Sequence, residues 1–169
     1  MIEVREITKR FGRKEVLKGV SFTAEKGEIT CLIGVNGVGK TTVMNAIMNL
    51  TPIQSGEILI DGQKINKRSY EKIMFIPDAI TMLPQMTIQQ AMQFMDDFYK
   101  SWNEKRAKEL LDFFKLEEGN KISNLSKGNT AKINLLLGLA LDVAYLLMAE
   151  PFSGIDIFSR APIPAVFTS

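Results

Sequence analysis

Polar and apolar positions alternate over residues 1–8 and again over 19–25, the period-2 pattern of two strands in a half-buried sheet. The polar turn Gly12-Arg13-Lys14 lies between them. Glu28-Ile29-Thr30-Cys31-Leu32-Ile33 is a short apolar run with β-branched residues, which predicts a buried strand. Val43, Met44, Ile47, Met48 and Leu50 then recur at helical spacing over residues 42–50. Pro52, Ser55 and Gly56 predict a turn into a strand at 57–60, Asp61-Gly62 the next turn, and 73–76 a short apolar strand ended by Pro77. From about Thr87 the period changes. Ile88, Ala91, Met92, Met95, Phe98 and Tyr99 fall on one helical face, and Ala107, Leu110, Leu111 and Phe114 on a second, with Asn103 placed to cap the second helix. A third helix is predicted from Ser126, and Tyr145-Leu146-Leu147-Met148 as a buried strand. Strands, an inserted helical stretch and a further strand predict an α/β core that carries a helical subdomain.

Between the predicted strand at 28–33 and the predicted helix stands Gly34-Val35-Asn36-Gly37-Val38-Gly39-Lys40-Thr41-Thr42. It fits G-x-x-x-x-G-K-[ST], the phosphate-binding P-loop, in the strand-to-helix setting where that pattern works. Gly34, Gly37 and Gly39 let backbone N–H groups turn inward around phosphate oxygens, and the helix dipole adds positive potential at the same point. Lys40 is expected to reach the β- and γ-phosphates, and the Thr41 hydroxyl to ligate Mg²⁺.

Composition adds bounds rather than chemistry. The 169 residues suffice for one domain with a substantial core, and 46% hydrophobic with 24% charged residues is ordinary for a globular protein. A net charge of +2 without a dense basic run gives no sign of a nucleic-acid partner. Cys31 stands alone, which excludes a disulfide framework and predicts a small buried hydrophobe in its strand. The opening Met1-Ile2-Glu3-Val4-Arg5 is no signal peptide, and Asn134 and Asp142 divide the greasy stretch 133–149 into a helix and a strand. A soluble chain is expected.

Two later segments narrow the choice among P-loop proteins. Leu125-Ser126-Lys127-Gly128-Asn129 precedes a helical run, and Met148-Ala149-Glu150-Pro151-Phe152-Ser153-Gly154-Ile155-Asp156 follows the late strand. With the P-loop, in this order, they resemble the ATP-binding subunit of an ABC transporter over essentially the whole chain. The resemblance implies an α/β fold, a P-loop NTPase core of the ABC ATPase type, with an antiparallel β subdomain and an inserted helical subdomain at about residues 80–140. It implies one such domain over residues 1–169, incomplete at its C-terminus. It further implies ATP and Mg²⁺ as cofactors.

The resemblance also assigns roles. Phe11 matches the aromatic that stacks on adenine, although an edge aromatic would look the same. Val35, Asn36, Val38 and Thr42 join the glycines, Lys40 and Thr41 around the phosphates. Ser126 and Gly128 match signature residues that contact the γ-phosphate held by another subunit, although a plain Ser N-cap has the same appearance. Glu150 matches the general base that polarises the attacking water, with Lys40 as its catalytic companion, and Gly154 and Asp156 match a loop that communicates across a dimer. Asp78 stands where the family has a glutamine that touches Mg²⁺ and water.

Departures from the family pattern bear on activity. Ala149 replaces the aspartate that supports the Mg²⁺ shell, no histidine is present for the family's switch position, and Pro162 and Pro164 disfavour the helix expected there. Slow hydrolysis by this chain is therefore expected. The partners implied are a transmembrane permease and a second ATP-binding subunit, identical or homologous, with residues 82–95 as the surface toward the permease, although subdomain core is an equal reading for any one of their methionines. The implied location is cytoplasmic, on the inner face of the membrane, and the cargo a drug or peptide for export. The alternatives are a soluble ABC-type ATPase of translation or DNA repair, and a nucleotide-binding regulatory module with little turnover.

Overall fold

The computed structural model describes residues 1–35, 37–77 and 83–149, which fall in two compact units, Met1–Phe75 and Ile76–Ser169. In the first unit, β1 (Ile2–Phe11) and β2 (Lys14–Ala24) form an antiparallel hairpin closed by Gly12 and Arg13. Gly12 has a φ of 57°, which a two-residue hairpin turn demands and glycine supplies without strain. The strands outrun the alternating segments that predict them because β1 contains a bulge. Glu6 sits at a φ of 48°, the register shifts between Val4 and Ile7, and the buried positions pass from Ile2 and Val4 to Ile7 and Lys9. An inserted residue thus keeps one face inward while breaking the period-2 signal.

α1 (Lys40–Ile47) buries Val43, Ala46 and Ile47. β3 (Ser55–Ile60) pairs antiparallel with β1, and β4 (Gln63–Lys64) returns across Asp61-Gly62, both at positive φ, to give the sheet order β2-β1-β3-β4. Gly56 faces the bulge: a Cβ there would stand 2.4 Å from the carbonyl oxygens of both Arg5 and Glu6, at a φ of 83°. Gly56→Ala is therefore expected to destabilise the chain by about 2 kcal/mol or more, since rigid backbone cannot yield as a side chain would. Urea unfolding would measure the loss.

The unit boundary falls within β5 (Ile73–Ile76). In the second unit, α2 (Ile88–Phe98), α3 (Glu104–Phe114) and α4 (Lys127–Leu139) precede β6 (Tyr145–Met148), and α2 and α3 both pack on α4. Each start is chemically marked. Thr87 and Gln90 make a reciprocal capping box on α2, Asn103 Oδ1 accepts from the Arg106 N–H on α3, and Ser126 Oγ accepts from the Asn129 N–H on α4. The Trp102 indole N–H donates to Glu104 at 2.9 Å and holds that carboxyl below its ordinary range. Six consecutive residues of α4, Ile133 to Gly138, are buried, so this helix is central to its unit. Among them Asn134 leaves Oδ1 without a hydrogen-bond partner, a burial that costs about 1–3 kcal/mol. The Ala149 N–H donates to the Ile76 carbonyl at 2.9 Å, tying the end of β6 to the end of β5.

Several expectations are corrected. Residues 29–35 form no strand, Ile29 and Ile33 are 93% and 91% exposed, and Cys31 is exposed rather than buried. A strand needs ladder partners, and none of the described strands pairs with this run. Met92 and Met95, which the sequence left between a partner-facing surface and the subdomain core, are only 5% and 4% exposed and belong to the core. Phe98 and Tyr99 leave the buried face because α2 ends there and Tyr99 turns extended; Phe98 stacks instead on Phe94, with ring centroids 4.5 Å apart. In β6 only Tyr145 is buried. Among the described residues no helix is long and apolar enough to cross a membrane.

Candidate functional site

Two glycines of the loop stand where the chain passes close to its neighbours. Gly39 is the N-cap of α1 with a φ of 110°, and a Cβ there would lie 2.9 Å from Leu17 Cδ2 and 3.2 Å from the Val16 carbonyl. The loop therefore rests directly on β2. A Cβ on Gly34 would lie 2.8 Å from Val38 Cγ1, so the first glycine admits the return of the chain. The Val38 N–H donates to the Val35 carbonyl at 3.3 Å and closes the turn.

The start of α1 is built as an anion site. Gly39 provides no side-chain cap, and the first turn holds no acidic residue. Its leading N–H groups consequently lack the partners that Thr87, Asn103 and Ser126 supply elsewhere. Lys40 opens the helix, where a cation works against the helix dipole. Its ammonium folds back into the loop, 2.5 Å from the Gly34 carbonyl and 3.1 Å from that of Val35. Thr41 is exposed and Thr42 half-buried on the same turn, with Val35 and Val38 exposed beside them.

Phe11 lies at the closed end of the β1–β2 hairpin, paired with Lys14 and 52% exposed. Sequence reasoning missed its neighbour. The Lys9 ammonium sits 5.0 Å from the Phe11 ring centroid, and Lys9 is only 7% exposed. Its signal was present: with the bulge counted, Lys9 occupies an inward position two residues after Ile7. Val16 and Leu17, the floor beneath Gly39, were equally unmarked.

In the second unit, Ser126 caps α4 and Gly128 is half-buried in its first turn. Ala149 is 6% exposed. Asn36, Asp78, Met82, Glu150, Gly154, Asp156, Pro162 and Pro164 lie outside the described residues.

A glycine loop on a sheet, opening a helix whose first residue turns a lysine back into the loop, defines a P-loop nucleotide-binding protein. The ABC transporter family profile matches residues 17–153. The chain is 36% identical over 162 residues to the ABC transporter ATP-binding protein YtrB of Bacillus subtilis, covering 95% of this chain and 56% of the relative. It is 35% identical over 168 residues to the linearmycin resistance ATP-binding protein LnrL of the same organism, covering 95% and 54%. A dimeric ATP-binding cassette in a post-hydrolysis state, bound to ADP and Pi, matches at a TM-score of 0.77 and 25% identity, over 93% of this chain and 77% of that one. The chain belongs to the ABC transporter ATP-binding family, and spans a little over half the length of those two curated relatives.

ABC ATPase domains bind ATP and Mg²⁺. The residues here fit that pair: Gly37 and Gly39 at φ of 78° and 110°, a lysine turned into the loop, and the Thr41 hydroxyl on the adjoining turn. Among the described residues no group of three or more His, Cys, Asp or Glu could hold a metal ion.

Proposed function

We propose that this chain is the ATP-hydrolysing subunit of a membrane transporter, at the cytoplasmic face of a permease, and that it acts as a head-to-tail dimer. The observation that carries this reading is the uncapped, acid-free start of α1 with Lys40 turned into the Gly34–Val35 turn. Phe11 stacks on adenine. The N–H groups of residues 34–42 hold the triphosphate, Lys40 neutralises its β- and γ-oxygens, and Thr41 and Asp78 contact the metal. Mg²⁺, when bound, supplies charge neutralisation to the phosphate oxygens. Glu150 orients the attacking water and accepts its proton. Ser126 and Gly128 offer the N-terminus of α4 to the γ-phosphate held by the second subunit. Similarity to a linearmycin resistance protein supports a drug as the cargo, and relatives named for import of zinc, petrobactin or ribose leave the direction to be read from the permease.

Assembly tests the reading. Glu150→Gln, which blocks turnover, should give a dimer in light scattering only when ATP and Mg²⁺ are present. Adding Ser126→Arg should abolish that dimer by setting bulk and a charge against the facing loop. An ATP-dependent dimer that survives Ser126→Arg would place the signature segment away from the interface.

A further inference from the structure

Lys9 is a buried cation whose location the hydrolytic chemistry leaves unexplained. It is 7% exposed, and among the described residues no ion pair includes it. Its ammonium has two described partners, the Pro52 carbonyl, to which it donates, and the face of Phe11 at 5.0 Å. A lysine in this much burial without a carboxylate is disfavoured unless its contacts compensate for lost water. A cation within about 6 Å of a ring centroid is drawn to the electron-rich face of the ring. The ring is thereby held from one side, while 52% of the Phe11 residue surface stays open.

The register fixes where this pair sits. Lys9 lies directly across from Leu17, and Leu17 is the residue against which Gly39 of the phosphate loop rests. Lys9 and Phe11 therefore occupy the end of the hairpin that supports the loop. Arg10, Arg13, Lys14 and Glu15 share this tip in sequence, a net positive charge beside the ring.

We propose that Lys9 is a positioning residue for the nucleotide base: it clamps the Phe11 ring from beneath, and the opposite face stacks the adenine of ATP. The role rests on the reading of Phe11 as the stacking residue given above. Two consequences follow from the geometry. Lys9 draws ring electron density toward itself, which leaves the outward face better suited to an electron-rich purine. It also fixes the ring orientation before binding, so less rotamer freedom is lost when the base arrives.

Calorimetry on the full chain with two ligands, ATP–Mg²⁺ and tripolyphosphate–Mg²⁺, separates base from phosphate recognition. Lys9→Met keeps the length of the stem and removes the charge. It should weaken ATP about fivefold and leave tripolyphosphate unchanged, the size expected for losing a partly desolvated cation–π contact. Lys9→Arg, which keeps a cation under the ring, should return ATP affinity to within about twofold of the original. In a Phe11→Leu background Lys9→Met should cause no further loss, because it acts through the ring. Equal weakening of both ligands, an unchanged ATP affinity, or full additivity with Phe11→Leu would overturn the clamp. Phe11→Leu without effect on ATP would instead overturn the stacking role of Phe11, and with it the clamp. An original chain that binds neither ligand would overturn the nucleotide site itself. Lys9→Gln is a second neutral variant should Lys9→Met fold poorly.

Discussion

Lys40→Ala should lower the affinity for ATP–Mg²⁺ by about a hundredfold or more. A hydrogen bond to a charged group contributes about 1.5–3 kcal/mol, and the lysine ammonium faces at least two phosphate oxygens in the proposed complex. The sequence of the loop holds no second cation. Its remaining donors are backbone N–H groups and the neutral side chains of Asn36, Thr41 and Thr42, which carry only partial charge. The fold itself should survive, since alanine is the best helix former and the lysine opens α1 rather than filling the core. The Gly34 and Val35 carbonyls that accept from Lys40 belong to a loop largely open to water, which can replace the lost bonds. Calorimetry reads the outcome, with a melting curve as the control. Unchanged binding in a folded variant would remove the phosphate site from residues 34–42.

Ala149→Asp should raise Mg²⁺-dependent ATP hydrolysis about 10- to 100-fold, the range associated with losing or regaining a group that supports a metal's ligands. The gain should vanish when Glu150→Gln is added, because the supporting carboxylate cannot replace the group that orients water. The position is suited to the test. Ala149 is 6% exposed, and its N–H is fixed on the Ile76 carbonyl at 2.9 Å, so a new side chain would start from a constrained backbone. Burial adds a second readout independent of turnover. A carboxylate placed there loses hydration, which lowers stability until a cation compensates. Mg²⁺ with ATP should therefore raise the Tm of Ala149→Asp more than that of the original chain. Equal hydrolysis by both chains, with equal Mg²⁺ shifts, would show that Ala149 is no defect.

The parts of the fold that were legible from sequence depend on groups only a few residues apart. Asn103 and Ser126 announce α3 and α4 because a side-chain oxygen and the N–H three residues later satisfy each other locally. Asp61-Gly62 announces its hairpin because both residues tolerate positive φ. The P-loop was legible for the same reason, since its glycines, lysine and threonine are contiguous and act through their own backbone. The bulge in β1 was not legible. Its extra residue at Glu6 is accommodated by Gly56, far along the chain, and only the pairing of β1 with β3 brings the two together.

Burial was decided by partners that no local window contains. Residues 28–33 have the composition of a core strand, yet a ladder requires neighbours, and without one Ile29 and Ile33 stay in solvent. Met92 and Met95 have the composition of an adaptable surface, yet the packing of α2 on α4 encloses them. Sequence alone determined the family motifs, the helix starts, the tight turns and the phosphate loop, all of which arise from short-range hydrogen bonding and backbone sterics. Tertiary structure decided which apolar runs lose water, seated Gly39 on Leu17, and set the Lys9 ammonium beneath Phe11. Those outcomes depend on side chains meeting across strands, and hydrophobic burial is non-directional, so an apolar residue does not specify which partner covers it.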